Sequence, residues 1–180
     1  MTFQTRQNVA PLRRPQPILR KPTAEDGAAV WKLIADCKPL DENSMYCNLV
    51  QCDHFADTCV LAELGGTPVG WISGHIPPSD PQALFVWQVA VSERARGMGL
   101  GLRMLQELMS RDVCDGVTEL RTTITADNAA SWALFRKFAR TSGAPLASAP
   151  HFTSDAHFDG EHATEYMVTI RLAEAMRRAA

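Results

Sequence analysis

The stretch from residue 84 to residue 101, Leu84-Phe85-Val86-Trp87-Gln88-Val89-Ala90-Val91-Ser92-Glu93-Arg94-Ala95-Arg96-Gly97-Met98-Gly99-Leu100-Gly101, decides the fold. Leu84 to Val91 is a nearly unbroken apolar run of strand length, which reads as a buried strand. From Leu100 onward the spacing Leu102, Leu105, Leu108, Met109 marks a helix. Between them lie glycines at 97, 99 and 101. Glycine lets a backbone turn tightly and meet a ligand with no Cβ in the way. A helix N-terminus adds unpaired N–H groups and a partial positive charge, a combination that suits a pyrophosphate. Arg94 and Arg96 add fixed cations. An ordinary strand–helix connection remains the plain alternative. Two nucleotide motifs are excluded: the turn is not Gly-x-x-x-x-Gly-Lys-Ser/Thr, and no βαβ unit with a ribose-binding acid surrounds it.

Upstream, Ile18-Leu19-Arg20 reads as a short strand closed by Pro22. Thr23, with Glu25 and Asp26 behind it, reads as the N-cap of a helix through Ala29, Val30, Leu33, Ile34 and Cys37 that ends before Pro39. Asn43-Ser44 opens a second helical stretch to about Phe55. Thr58–Glu63 and Val69–His75 are strands joined across Gly65-Gly66, a hairpin signal, and the segment IPPSDPQ is a loop. Downstream, Val117–Ile124 reads as a strand, Asn128–Phe138 as a helix, His151–Phe158 as irregular and Glu165–Ile170 as a last strand. The order β-α-α-β-β-β-α-β-α-β predicts one mixed α/β domain over residues 17–173. Residues 1–16, polar with Pro11 and Pro15, are expected to form a flexible N-terminal tail, and residues 174–180 a C-terminal one.

The 180-residue chain carries 18 basic and 20 acidic side chains, a formal net charge of −2. That balance offers no general attraction to nucleic acid or an anionic membrane, although Arg13, Arg14, Arg20 and Lys21 form a local basic stretch. No run approaches the roughly 20 apolar residues of a membrane span, and the N-terminus lacks the apolar core of a secretory signal. The five cysteines (Cys37, Cys47, Cys52, Cys59, Cys114) include no Cys-x-x-Cys pair, so free thiols in a reducing compartment are expected and no metal. A cytoplasmic protein is the expectation.

The glycine turn resembles that of the GNAT acyltransferase superfamily, whose Arg/Gln-x-x-Gly-x-Gly/Ala motif matches Arg96, Gly99 and Gly101. The resemblance implies a mostly antiparallel sheet splayed at the cofactor site and flanked by helices. It also implies turn amides at Arg96, Gly97, Met98, Gly99, Leu100 and Gly101 on the pyrophosphate of acetyl-coenzyme A. Backbone around Val89 and Val91 would hold the pantetheine and polarise the thioester. Thr122-Thr123-Ile124-Thr125-Ala126-Asp127-Asn128, leading into Ala129-Ala130-Ser131-Trp132-Ala133-Leu134-Phe135, resembles the family's Asn-x-x-Ala/Ser helix, placing Asn128 and Ser131 on the coenzyme A arm. Read alone, Asn128 is also a plain N-cap. Two departures stand out. Phe135 occupies the position where many relatives carry a Tyr general acid, and the strand 84–91 holds no carboxylate base.

Several segments resemble a narrower family, the L-2,4-diaminobutyric acid acetyltransferases that make the precursor of ectoine. They are Leu40-Asp41-Glu42-Asn43-Ser44-Met45-Tyr46, Phe85–Val91, Thr122–Asn128 with Ser131–Phe135, and His162-Ala163-Thr164-Glu165, within a likeness spanning roughly residues 18–171. A diamino acid needs acids and a polar partner in its pocket, and Asp41, Glu42, His162 and Glu165 supply them, with Tyr46 and Trp87 as walls. An α-amine deprotonates near pH 8 and a lysine-like amine nearer about 10.4, so unassisted the α-amine would be the better nucleophile. A carboxylate that keeps the α-ammonium charged, with a base near the 4-amine, reverses that order. Asp41 and Glu165 are the expected ammonium contacts, and His162 or a carboxylate the proton acceptor. Asp41 could equally be a loop or capping acid, His162 an edge residue, and Tyr46 and Trp87 core. A homodimer is implied by the resemblance alone. Another small-amine acetyltransferase, or an acetyl-coenzyme A-binding module without catalysis, are the competing functions.

Overall fold

The structure, a computed structural model, describes residues 15–172. The expected tails therefore lie outside the described residues except for Pro15 and Gln16, as does residue 173. Gln16 and Pro17 are tied down, because the Arg103 guanidinium donates to the Gln16 side chain and the Pro17 carbonyl, each at 3.1 Å.

The chain runs β1 (Ile18–Arg20), α1 (Gly27–Ala35), α2 (Met45–His54), β2 (Val60–Leu64), β3 (Thr67–His75), β4 (Ala83–Val91), α3 (Leu100–Met109), β5 (Glu119–Thr125), α4 (Ala129–Thr141), β6 (Leu146–Phe152), α5 (Ser154–Phe158) and β7 (Glu165–Arg171). A single sheet has the strand order β1-β2-β3-β4-β5-β7-β6. Local chemistry sets the boundaries. Gly65 and Gly66 both sit at positive φ, 60° and 75°, and close the β2–β3 hairpin. The Ser44 hydroxyl caps α2 by accepting from Cys47 N at 3.1 Å, and Asn128 Oδ1 caps α4 by accepting from Ser131 N at 3.0 Å.

Each face of the sheet carries its own helix layer. On one, Val30 and Ile34 of α1 and Cys52 of α2 bury against Leu61, Trp71 and Ala90. On the other, Met104, Leu105 and Leu108 of α3 and Phe135 and Phe138 of α4 bury against Val60, Ile72, Leu84, Val86, Leu120 and Val168. The strand alternation that supplies both faces is what a sheet sandwiched between helices requires.

The β4–β5 junction matters most for function. Every other pair is antiparallel, while β4 and β5 are parallel and matched only at Ala83–Phe85 against Glu119–Arg121. Beyond that point β4 stays with β3 as far as Val91, and β5 stays with β7 as far as Thr125. The sheet opens as a V, with the glycine turn and α4 at its rim.

Two elements differ from the sequence reading. Residues 146–150, unassigned above, form most of edge strand β6, and the segment 151–158 read as irregular contributes the end of β6 and the short helix α5. β6 reads LASAPHF, has no β-branched residue and contains Pro150, a composition tolerated at a sheet edge.

α3 approaches β3 closely at Gly70, where a Cβ would lie 2.9 Å from Leu100 Cδ2 and from Met104 Sδ. Gly70→Val is therefore expected to force α3 outward and lower stability by about 1–3 kcal/mol, measurable as a lower urea midpoint.

Candidate functional site

The V between β4 and β5 opens into a cleft of about 650 Å³ lined by Val89, Val91, Arg96, Gly101, Asn128 and Ser131, with Cys37 to Leu40 of the α1–α2 loop along one side. Six of the residues expected to face the cofactor are therefore gathered from three separate elements, while Gly97, Met98, Gly99 and Leu100 of the same turn are not among the residues lining the cleft. Val89 and Val91 contribute strand backbone on the side where β4 has no β5 neighbour.

The turn is built for an anion. Gly97 and Gly99 adopt φ of 76° and 68°, with nothing within 4 Å of an added Cβ, so their conformation rather than crowding requires glycine. Gly99 is the N-cap of α3, whose first-turn amides, starting at Leu100 and Gly101, have no partner inside the helix. Leu100 and Met98 turn their side chains to the core, leaving backbone for a ligand. Gly101 has a different reason: a Cβ there would lie 3.2 Å from Leu134, so glycine lets α3 and α4 close together at the cleft. Arg96 lines the cleft while holding Glu93 at 3.2 Å, and Arg94 is exposed outside its wall. Asn128 and Ser131 bond to each other through the cap, so the N-cap role and a place on the cleft wall coincide.

Phe135 is 2% exposed and belongs to the α3–α4 core. The position where the superfamily resemblance leads one to look for a tyrosine is thus hydrophobic filling here. Cys37 reaches the cleft wall, and burial raises its thiol above the ordinary value.

Next to the cleft-lining Leu40 and Asn128, Asp41 and Asp127 belong to an acidic cluster with His162 and Glu165. His162 Nε2 stands 3.9 Å from Asp41 Oδ2, and Glu165 opens β7 opposite Thr125. The His162 Nδ1 lies 2.7 Å from the Ala163 carbonyl. A carbonyl only accepts, so Nδ1 is the donor in this contact, which leaves Nε2, the nitrogen nearer Asp41, as the site where a proton is gained or lost. Phe158 of α5 packs against the imidazole at a centroid distance of 4.7 Å, and Ser154 N donates to Thr164 Oγ1 at 3.1 Å, pinning α5 beneath this segment.

Glu165 Oε2 is buried and has no hydrogen-bond partner among the described residues. Burial pushes this carboxyl above the usual range; His162 and Thr123 pull it down less, and the charges of Asp41 and Asp127 push it up further. Asp127, absent from the sequence candidates, joins the group: the Thr125 hydroxyl donates to Oδ1 at 2.7 Å, and that bond, with His162 nearby, holds its carboxyl below the usual range. Its signal was available, since it directly precedes Asn128 in the strand–helix turn. The structure therefore unites Asp41, His162, Glu165 and Asp127. Glu42 is instead engaged by Lys38. Tyr46 and Trp87 are 75% and 51% exposed, so neither is core. Among the described residues no His, Cys, Asp and Glu cluster suits a metal ion.

Residues 28–139 match the Acetyltransferase (GNAT) family. The L-2,4-diaminobutyric acid acetyltransferase of Methylotuvimicrobium alcaliphilum is 49% identical over 152 residues, covering 84% of this chain and 88% of that protein. The enzyme of the same name from Vibrio parahaemolyticus is 47% identical, covering 86% of each. Among solved structures, diaminobutyrate acetyltransferase EctA from Paenibacillus lautus, in complex with its substrate L-2,4-diaminobutyric acid and coenzyme A, superimposes with a TM-score of 0.84. It is 38% identical, with 88% of this chain and 96% of that one covered.

Two outcomes test this geometry. Gly99→Glu places bulk and negative charge at the α3 N-cap and should remove measurable coenzyme A binding in calorimetry. For Glu165 the sign follows from burial: a raised folded-state pKa means the ionised form costs stability above that pKa, and the cost vanishes once the carboxyl is protonated in folded and unfolded chains alike. Glu165→Gln should accordingly raise Tm of the ligand-free protein near about pH 7 and leave it unchanged below about pH 4.

Proposed function

The chain belongs to the acetyltransferase (GNAT) family, within it to the L-2,4-diaminobutyric acid acetyltransferases, and we propose that it transfers acetyl from acetyl-coenzyme A to the 4-amino group of L-2,4-diaminobutyrate. The product is N4-acetyl-L-2,4-diaminobutyrate, the precursor in ectoine synthesis and hence in osmoprotection. The observation that carries this reading is the buried, unpartnered Glu165 Oε2 in a cluster with Asp41, Asp127 and His162, close to a cleft of about 650 Å³ at the glycine turn. An ammonium group supplies the missing hydrogen-bond donor and the missing positive charge at once.

The residues divide the work. The amides of the turn from Gly97 to Gly101 and the α3 dipole take the pyrophosphate, Asn128 and Ser131 flank the arm, and Val89 and Val91 present backbone to the pantetheine and thioester. Carboxylates of the acidic cluster keep the α-ammonium protonated. His162 Nε2 takes one proton from the 4-ammonium, and the freed nitrogen lone pair attacks the thioester carbon. The carbon–sulfur bond then breaks, its electron pair leaves with sulfur, and the second nitrogen proton neutralises the thiolate. With Phe135 buried, that proton comes from the attacking amine instead of a tyrosine. Holding both reactants in one geometry supplies much of the acceleration.

We place the enzyme in the cytoplasm as a homodimer. The five cysteines are free thiols, and no helix among the described residues is long and apolar enough to cross a membrane. β6 leaves an exposed sheet edge from Ala147 to Phe152, a surface on which a second copy can pair.

Incubation with acetyl-coenzyme A and L-2,4-diaminobutyrate, with thiol release followed and the product identified by NMR, should give the 4-acetyl isomer. His162→Ala should cut kcat by about 10²–10⁴-fold while coenzyme A still binds. Binding without turnover in the unsubstituted protein, over a panel of amines, would move the assignment to a non-catalytic module.

A further inference from the structure

β4 carries one residue more than β3 can match. Val86 pairs with Gly74 and Gln88 with Ser73, so Trp87 is bulged out between them. The bulge is accommodated by Gly74, where a Cβ would lie 2.9 Å from the Phe85 carbonyl and 3.1 Å from the Thr58 carbonyl, both backbone. An extra residue reverses the facing of everything beyond it. Leu84 and Val86 face the α3–α4 core, and an unbulged strand would send Gln88 and Ala90 the same way. Ala90 instead packs with Trp71, Val30 and Ile34 on the α1–α2 side, and Gln88 follows it.

There the Gln88 side chain meets the loop between α1 and α2. Its Nε2 donates to the Asp41 carbonyl at 2.9 Å, and its Oε1 accepts from Asn43 Nδ2 at 3.2 Å. A backbone carbonyl only accepts, which fixes the orientation of the amide. This loop serves both reactants: Cys37 to Leu40 line the coenzyme A cleft, and Asp41 faces His162. Gln88 is also the immediate neighbour of Val89, whose backbone lines the same cleft. One side-chain amide therefore fastens the acceptor loop to the donor strand where the two sites meet.

We propose that Gln88 is a positioning residue for acetyl transfer, held on the acceptor side by the Trp87 bulge, and that its clamp on Asp41 and Asn43 sets which amine reaches the thioester. The inference rests on the diamine acetyltransferase reading above. A loose loop moves Asp41, and the carboxylate that keeps the α-ammonium charged moves with it.

The test compares unsubstituted protein with Gln88→Ala, Gln88→Glu, Asn43→Ala and the Gln88→Ala/Asn43→Ala pair. Gln88→Glu is isosteric and keeps an acceptor for Asn43, but it sets an acceptor against the Asp41 carbonyl. Misplacement of a reacting group on the ångström scale costs up to about a hundredfold. Gln88→Ala and Gln88→Glu should each lower kcat/KM for L-2,4-diaminobutyrate about tenfold to a hundredfold. Both should release some 2-acetyl product, while coenzyme A affinity and Tm stay close to those of the parent. The double variant should be no worse than Gln88→Ala, because both substitutions cut the same clamp. Kinetics and product ratio unchanged in Gln88→Glu would overturn the proposal. So would losses in Gln88→Ala that merely parallel lost stability and lost coenzyme A affinity. Hydrogen exchange in ligand-free protein separates the two readings: Gln88→Ala should speed exchange of the amides at 41–44. If it does so while the parent leaves diaminobutyrate untouched, the substrate assignment fails and the clamp stands; unchanged exchange at 41–44 overturns the clamp whatever the substrate.

Discussion

The rest of the structure depends on the parting of two parallel strands. β4 and β5 share a ladder only from Ala83 to Phe85, and past that point each keeps its outer partner and loses its inner one. Peptide groups in the middle of a sheet are obligatory hydrogen-bonding groups, and here they are left without a strand to satisfy them. A ligand with its own amides can take the vacated place. The flanking layers keep the wedge from collapsing, since α3 and α4 are locked against their half-sheets through Met104, Leu105, Leu108, Phe135 and Phe138. Gly101 allows the two helices to meet at the rim, where Leu134 sits 3.2 Å from the site of a Cβ.

In the proposed reaction, electrostatics gives each reactant its own end of the site. The turn at Gly97 to Gly101 collects unpaired amides and a helix N-terminus, a positive site beside which Glu93 is paired to Arg96. The opposite side gathers Asp41, Asp127 and Glu165 around one imidazole. Desolvation of Glu165 makes its charge costly in the free protein, and in the proposed complex a bound ammonium removes that cost. The nearly neutral chain, net −2, hides this separation between the glycine turn and the acidic cluster.

How much of this was legible follows from the kind of signal each part emits. The strand–glycine–helix unit, the Gly65-Gly66 hairpin and the Asn128 cap are local, and each appears where its residues predict. Leu146–Phe152 emits almost nothing, because an exposed edge strand needs no alternation and Pro150 argues against pairing. α5 is too short for periodicity, though Thr153 ahead of Ser154-Asp155 carries a weak capping signature. The acidic cluster is assembled from positions 41, 127, 162 and 165, and only topology brings them together, so Asp127 is overshadowed in the sequence by the more conspicuous Asn128. Tyr46 and Trp87 show the converse: aromatic spacing suggested core as readily as wall, and their exposure removes the core reading.

The bulge at Trp87 joins these strands of argument. A strand built only for packing would carry Leu84, Val86 and their successors on one face to its end, with nothing polar aimed at the α1–α2 loop. One added residue, opposite a glycine that alone fits between the Phe85 and Thr58 carbonyls, changes the facing midway. The first half of β4 thereby serves the core. The second half gives Val89 and Val91 to the cleft and Gln88 to the loop that bears Asp41. Strand register and acceptor placement are then one structural variable, so the alignment of amine with thioester is inherited from the sheet instead of being left to a nine-residue loop of its own.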